Sequence, residues 1–354
     1  MMNSLPFEIP KNSQVYRTRN GTQISADSLE VLRILPSESI DLIVTSPPFA
    51  LLRQKKYGNE KQDDYVQWLS AFGKEAIRVL KPKGSFVLDI GGAYQRNRPV
   101  RSLYNFRVLL DFCDNIGYRL AQEFFWYNPS KLPSPIEWVN KRKIRVKDAV
   151  NTVWWFSKTD YPKADVTKVL TPYSARMKTL LRNPEKFYKP KERPSGHDIS
   201  KGFDKDNNGA IPPNLLQISN ADSNSHYLRT CKNLEKPAHP ARFPQALPDF
   251  FIRFLTDPED IVLDIFSGSN TTGYAAEQLG RRWIGIEANI AYAVLSAVRF
   301  MDGWELSQIR ESLIAIEQGN VPLIDNRVPP NRLVHESQSS EVRITSAKLE
   351  DFCR

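Results

Sequence analysis

One stretch of this chain constrains its fold more than any other: Ile261-Val262-Leu263-Asp264-Ile265-Phe266-Ser267-Gly268-Ser269-Asn270-Thr271-Thr272-Gly273. A short apolar run ends in an acid, small residues follow, and helical spacing then continues to Leu279. A run that is apolar throughout, rather than alternating, suits a strand covered on both faces, as in a parallel sheet packed between helices. The passage from strand through tight turn to helix aims backbone N–H groups and a helix N-terminus at a ligand. Gly268 and Ser269 let a ligand approach the backbone closely. Glu287 stands 23 residues beyond Asp264, at the end of the next strand-like run from Arg281. Dinucleotide-binding folds place there an acid that bonds ribose hydroxyls. The turn is not Gly-x-Gly-x-x-Gly, and it lacks the Gly-Lys-Ser/Thr of a P-loop. The pattern supports a nucleoside cofactor and not a pyrophosphate. For the turn alone, an ordinary β–α connection without ligand is the alternative.

The same alternation runs through the first third of the chain. Thr22–Ala26 reads as a short strand, and Asp27-Ser28 opens a helix through Leu35. Ile40–Val44 is a buried strand stopped by Ser46-Pro47-Pro48-Phe49, since two prolines end any ladder. Asp64–Leu80 has helical spacing, Lys81–Gly84 reads as a turn, and Phe86–Leu88 as a strand. A helix near Leu103–Asn115 leads to a strand near Leu120–Trp126. From about 128 to 237 prolines and basic residues crowd in and period is lost, with Val153–Phe156 the best strand candidate. Alternation resumes with helices at Phe243–Leu255, Asn270–Leu279, Ala288–Phe300 and Trp304–Glu317. The expectation is a doubly wound α/β sheet with an inserted loop-rich region. Its parts are a flexible N-terminus (1–20), two halves of one domain (21–127 and 238–320), the insert (128–237) and a mobile tail (321–354).

Thr45-Ser46-Pro47-Pro48-Phe49 is the second chemical signal. Two prolines fix the backbone after a buried strand. The Ser46 hydroxyl and the Pro47 carbonyl are two acceptors, and Phe49 offers a flat face. Together they suit a planar amine, with one acceptor for each hydrogen and a ring to stack on the base. A rigid loop exit is the plainer alternative for this motif alone.

Charge supplies the third signal. Lys and Arg number 49 against 40 Asp and Glu, an excess of +9, which points to a polyanionic partner only if it is localised. It is: Lys141, Arg142, Lys143, Arg145 and Lys147 are nearly contiguous, and Arg176, Lys178, Arg182, Lys186, Lys189, Lys191 and Arg193 follow. Both clusters fall in the insert, where neutralising phosphates is a better reading than a merely solvated face. Three scattered cysteines fit neither a disulfide framework nor a zinc site and suit a reducing cytosol, and no metal is expected. No apolar run approaches a membrane span, and Met1–Pro6 does not open like a secretory signal.

On these motifs the chain resembles the amino-group DNA methyltransferases, which carry an Asp/Asn/Ser-Pro-Pro-Tyr/Phe motif and a Phe-x-Gly-x-Gly-like motif. The order is target motif, basic insert, then cofactor motif, as in the group called beta. Ser46 with Phe49 resembles the cytosine-N4 branch. Pro194–Asp198, Asn207–Leu215 and Ala238–Pro244 are similar to stretches of a member of that branch, and the resemblance spans roughly 20–305. Ser269 stands where many relatives have a second glycine.

The resemblance implies a class I S-adenosylmethionine-dependent methyltransferase fold, Rossmann-like, with an inserted target-recognition region. It implies that Phe266, Gly268 and Ser269 line the cofactor pocket and that Asn270, Thr271 and Thr272 meet the methionine end. Asp264 would orient the amino-acid part and Glu287 take the ribose hydroxyls. Asp27 resembles an acid near the adenine, although a plain helix N-cap explains it equally well. The loop at His239 would pack beside the methionine end, with His239 in a structural role. Ser46, Pro47, Pro48 and Phe49 would hold a flipped cytosine. Lys141, Arg142, Lys143, Arg176, Lys178, Arg182, Lys189, Lys191 and Arg193 would meet double-stranded DNA. The expected protein is a site-specific DNA methyltransferase of a prokaryotic cytoplasm, the modification enzyme of a type II restriction-modification system with a cognate endonuclease acting on the same site. Adenine-N6 methylation, a non-catalytic DNA-binding regulator and, more remotely, a nicotinamide dehydrogenase are the competing readings.

Overall fold

The computed structural model describes residues 5–50, 64–188, 204–220 and 225–325. Within them the strands are β1 (Gln14–Arg17), β2 (Gly21–Ser25), β3 (Ile40–Thr45), β4 (Leu80–Ile90), β5 (Arg119–Tyr127), β6 (Val150–Ser157), β7 (Leu215–Gln217), β8 (Ile261–Asp264) and β9 (Arg282–Glu287). They form one sheet in the order β1-β2-β9-β8-β3-β4-β6-β5-β7. The run β2, β9, β8, β3, β4 is parallel throughout. β6 is antiparallel to both β4 and β5, β7 is parallel to β5, and β1 closes the far edge antiparallel to β2.

Helices cover both faces. α1 (Ser28–Ile34), α2 (Tyr65–Val79) and α3 (Tyr104–Leu110) pack on one; α4 (Ala175–Arg182) and α5 (Pro184–Phe187) belong to the insert; α6 (His226–Asn233), α7 (Ala246–Leu255), α8 (Thr271–Gln278), α9 (Ile290–Ser296) and α10 (Leu306–Glu317) pack on the other. Successive side chains of a strand point to opposite faces. Thus Val87 of β4 joins the core under α7 and α8, while Phe86 and Leu88 join the core under α2 and α3. Because the central strands are parallel, their carboxyl ends open along one edge of the sheet, where ligands of doubly wound folds bind. No helix among the described residues is long and apolar enough to cross a membrane.

Several expectations need correction. The segment 1–20 is not all flexible: Gln14–Arg17 is an edge strand, and Tyr16 is fully buried, with its hydroxyl 2.8 Å from Ser296 Oγ. Two consecutive apolar residues, Val15 and Tyr16, suffice because α9 and the short turn Ala297–Phe300 cover them. The start of the tail is likewise held, since Arg17 N donates to Pro322 O and Ile324 N to Arg17 O. Lys81–Gly84 is not a turn between elements but an irregular part of β4, where the register with β3 jumps between Ile40–Leu80 and Leu42–Ser85. Val153–Phe156 is not an insert strand: β6 lies inside the main sheet between β4 and β5. Its unbroken apolar run fits that place, with Trp154 buried on one face and Trp155 on the other. The sheet therefore runs through the 128 boundary read from composition.

Candidate active site

After Asp264, at the end of β8, the chain turns tightly over residues 265–270 before entering α8. Gly268 has φ +52°, a left-handed conformation that favours glycine. A Cβ at that position would lie 3.0 Å from His239 Cε1, so the turn is closed down upon the His239 ring. Asn270, with φ +55°, caps α8 by accepting from Gly273 N over 3.0 Å, and its amide donates to the Tyr16 hydroxyl over 3.1 Å. Arg299 holds Ser269 through its carbonyl (2.5 Å) and its hydroxyl (2.8 Å). Glu287, at the end of β9, accepts from Gly268 N and from Asn289 N, each at 2.9 Å. Burial, with Asp264 nearby, raises its carboxyl above the usual range.

Asp264 lies under this turn and is 2% exposed. It accepts from Thr45 Oγ1 and Thr272 Oγ1, both at 2.7 Å, and from Phe266 N at 3.1 Å. One carboxylate thus ties the end of β3, the turn and the first turn of α8 together. Desolvation pushes its pKa up to about 6, against the pull of those donors. His239 is held neutral, its pKa lowered to about 4 by burial. Its Nδ1 sits 2.5 Å from Ala241 O, which can only accept, so Nδ1 carries the proton. Its ring stands edge-on to Tyr292. These contacts agree with a structural role.

The target motif follows β3. Ser46 Oγ donates to Asp89 Oδ2 over 3.0 Å, and Asn151 Nδ2 of β6 donates to Asp89 Oδ1 over 3.1 Å. Asp89 is the last residue but one of β4, between the buried Leu88 and Ile90. Burial raises its pKa to about 6, opposed by Asn151, Ser46 and the charge of Lys131. Phe49 packs against the bare backbone of Gly91, where a Cβ would be 2.4 Å from the ring. Phe266 packs on Trp68 and Phe72 of α2, with ring centroids 5.6 and 5.0 Å away.

The two motifs open on a single cavity of ≈ 670 Å³, within the usual size of small-molecule sites. Of the expected residues, Asp27, Ser46, Pro47, Pro48, Phe49, Phe266, Gly268, Ser269, Thr271 and Glu287 line it. Asp27 is also the N-cap of α1, accepting from Leu29 N and Glu30 N. Asp264, Asn270 and Thr272 do not line the cavity; they brace the turn from beneath. Asp89, Asn151, Lys131 and Trp68 line it and were missed from the sequence. Asp89 had a readable signal, an acid near the end of an apolar strand; Asn151 and Lys131 had none.

The described members of the basic set lie apart from this cavity. Lys141 and Arg142 are exposed and pair with Glu137, and Lys143 is exposed with φ +55°. Arg176, Lys178 and Arg182 are exposed on α4, which buries none of its residues. Lys189, Lys191, Arg193 and the segment 194–198 fall outside the described residues.

A sheet of this order, with a cofactor-type turn and an amine-type motif sharing one cavity, defines a class I methyltransferase. A family model described as DNA methylase matches residues 40–297. The chain belongs to this family of N6/N4 DNA methylases. It is 62% identical over 287 residues to the type II methyltransferase M.PvuII of Proteus hauseri, covering 81% of this chain and 85% of that one. It is 26% identical over 303 residues to M.BglII of Bacillus subtilis, covering 83% and 72%. Among solved structures it is similar to the cytosine-N4-specific PvuII DNA methyltransferase, with a TM-score of 0.72, 50% identity, and coverage of 87% and 96%.

The residues present fit S-adenosylmethionine, the cofactor of the family. A left-handed glycine brings the backbone to the cavity wall, the half-buried carboxylate of Glu287 lines the cavity beside it, and Phe266 supplies an apolar ring.

Proposed function

We infer that this chain methylates the exocyclic N4 amine of a cytosine turned out of a short double-stranded DNA site. It would do so as the modification enzyme of a type II restriction-modification system in a prokaryotic cytoplasm. The observation that carries this reading is the joint opening of Ser46–Phe49 and Gly268–Glu287 on one cavity. A base inside a duplex cannot reach such a cavity, so it must leave the stack. S-adenosylmethionine, held by Phe266, Gly268, Ser269, Thr271 and Glu287, supplies a methyl group already activated on a sulfonium.

The chain's own part is placement and proton handling. Ser46 spends its hydrogen on Asp89, which leaves the Oγ lone pairs free to accept from one hydrogen of the amine. The Pro47 carbonyl accepts from the other. Two fixed acceptors aim the nitrogen and are the principal source of acceleration. When the amine gains a methyl group it gives up a proton. The Ser46–Asp89 bond leads that proton to a carboxylate whose pKa is already raised. Phe49, Trp68 and Phe72 exclude water around the bases of both partners. The exposed cations of 141–147 and α4 suit the flanking phosphates, so the DNA-facing surface comprises the stretches on either side of β6. A cognate endonuclease would act on the same sequence without contacting this chain.

The test is mass spectrometry of nucleosides from duplex DNA incubated with the protein and labelled S-adenosylmethionine. N4-methylcytosine is expected. N6-methyladenine would transfer the reading to the adenine branch, and no transfer to any duplex would make the chain a non-catalytic binder.

A further inference from the structure

The segment joining β5 to β6, residues 128–149, forms one wall of the cavity through Asn128, Lys131 and Ala149. Its backbone is braced along its length. Asn128 N donates to Ala149 O over 2.9 Å and closes its two ends, and Asp148 N donates to Ser134 O over 3.0 Å. Lys147 Nζ reaches the carbonyls of Pro129 (3.1 Å) and Lys131 (3.3 Å). Ser130 Oγ lies 2.5 Å from Ser219 Oγ, and Arg101 pairs with Asp148. Pro129, Pro133 and Pro135 restrict three further φ angles. In the middle of this braced stretch Leu132 is 81% exposed.

A lone exposed leucine is ordinary. This one differs in its setting. It adjoins Lys131 of the cavity wall, its backbone is held in place before any ligand arrives, and the exposed cations of 141–147 share its segment. Ile136 and Val146 are exposed on the same segment at 62% and 87%, but neither adjoins a cavity residue.

We propose that Leu132 enters the base stack and fills the space left by the target base when that base turns into the cavity. The proposal rests on the reading of the chain as a DNA base methyltransferase. Turning a base out breaks its pair and its stacking on two neighbours, and an apolar side chain in the gap restores part of that contact. Because the loop is already ordered, insertion sacrifices little conformational freedom.

The test compares two duplexes carrying the site that the unaltered protein modifies, one fully paired and one with an abasic position opposite the target cytosine. The second has no pair to break. Leu132→Ala is expected to lower kcat/KM about tenfold on the paired duplex and less than about twofold on the abasic one. Leu132→Met, which keeps an apolar chain of similar length, should remain near the unaltered protein on both. Val146→Ala should affect the two duplexes alike. Equal loss on both duplexes for Leu132→Ala, no loss on either, or selective rescue of Val146→Ala in its place overturns the assignment. Absence of methyl transfer by the unaltered protein to either duplex overturns the underlying activity as well, and is read separately from the variants.

Discussion

Ser46 Oγ donates to the buried carboxylate of Asp89 over 3.0 Å, and this bond joins the carboxyl ends of the adjacent parallel strands β3 and β4. In the proposed reaction Ser46 would accept from the amine and Asp89 would be the acceptor behind it. Ser46→Ala should therefore lower kcat by about a hundredfold or more, with S-adenosylmethionine affinity within about twofold of the original. Methylation assays and a calorimetric titration of the cofactor check the two halves of this statement.

The same bond sets a pH limit. Asp89 can take up the proton leaving the amine only when it is ionised, and burial has raised its pKa to about 6. Activity should be full above this value and fall as pH drops through it. Asp89→Asn should flatten that acid limb while lowering the plateau. A pH profile of kcat for both proteins measures this; an unchanged limb in the variant would place the titrating group elsewhere.

Asp264 makes a prediction about stability instead. Its carboxyl moves from 3.8 in the unfolded chain to about 6 in the fold, chiefly by desolvation. The folded state then binds the proton more tightly, so this group's contribution to stability falls as pH rises from about 4 to about 6. Asp264→Asn removes that dependence. The stability difference between pH 4 and pH 7 should change by about 2 kcal/mol in the variant, read from denaturant unfolding at the two pH values.

Gly268 combines φ +52° with the His239 ring 3.0 Å from where a Cβ would stand. Gly268→Ala pays for a left-handed alanine, about 1 kcal/mol, and must also push His239 aside. Cofactor affinity should fall about tenfold or more while duplex binding stays nearly unchanged, as fluorescence and anisotropy titrations would show.

Arg176, Lys178 and Arg182 lie exposed on α4 without an ion pair among the described residues. If each meets a phosphate, replacing all three by alanine should reduce the slope of log K against log salt by up to roughly 3. Anisotropy titrations across a range of salt concentrations test this. An unchanged slope would return α4 to an ordinary solvated face.

The readable parts of the fold were those written in short-range pattern. Ile40–Val44 and Ile261–Asp264 are apolar from end to end, and each is a strand within a residue of where its sequence places it. Pro82 and Gly84 are turn residues by local preference and have no partner in β3; β4 runs through them because Leu80 and Ser85 on either side pair with Ile40 and Leu42. β6 reads as part of the insert because its neighbours in sequence are basic and aperiodic, whereas its neighbours in space are β4 and β5.

The amino-acid order alone specified the chemical types and their local settings: Ser46 before two prolines at a strand's end, Gly268 in a tight turn, and Glu287 closing the following strand. Those follow from backbone sterics and the periodicity of burial, which act over a few residues. Only the tertiary structure decided the partnerships. It joined Ser46 to Asp89 across 43 positions and Thr45 to Asp264 across 219. It also set Asp264, Asn270 and Thr272 beneath the turn as braces and carried Lys131 and Asn151 to the cavity wall. The reason is the strand order β8-β3-β4-β6, which puts the ends of distant segments side by side. That order comes from packing two helical layers on the sheet, a long-range balance that no short stretch of sequence contains.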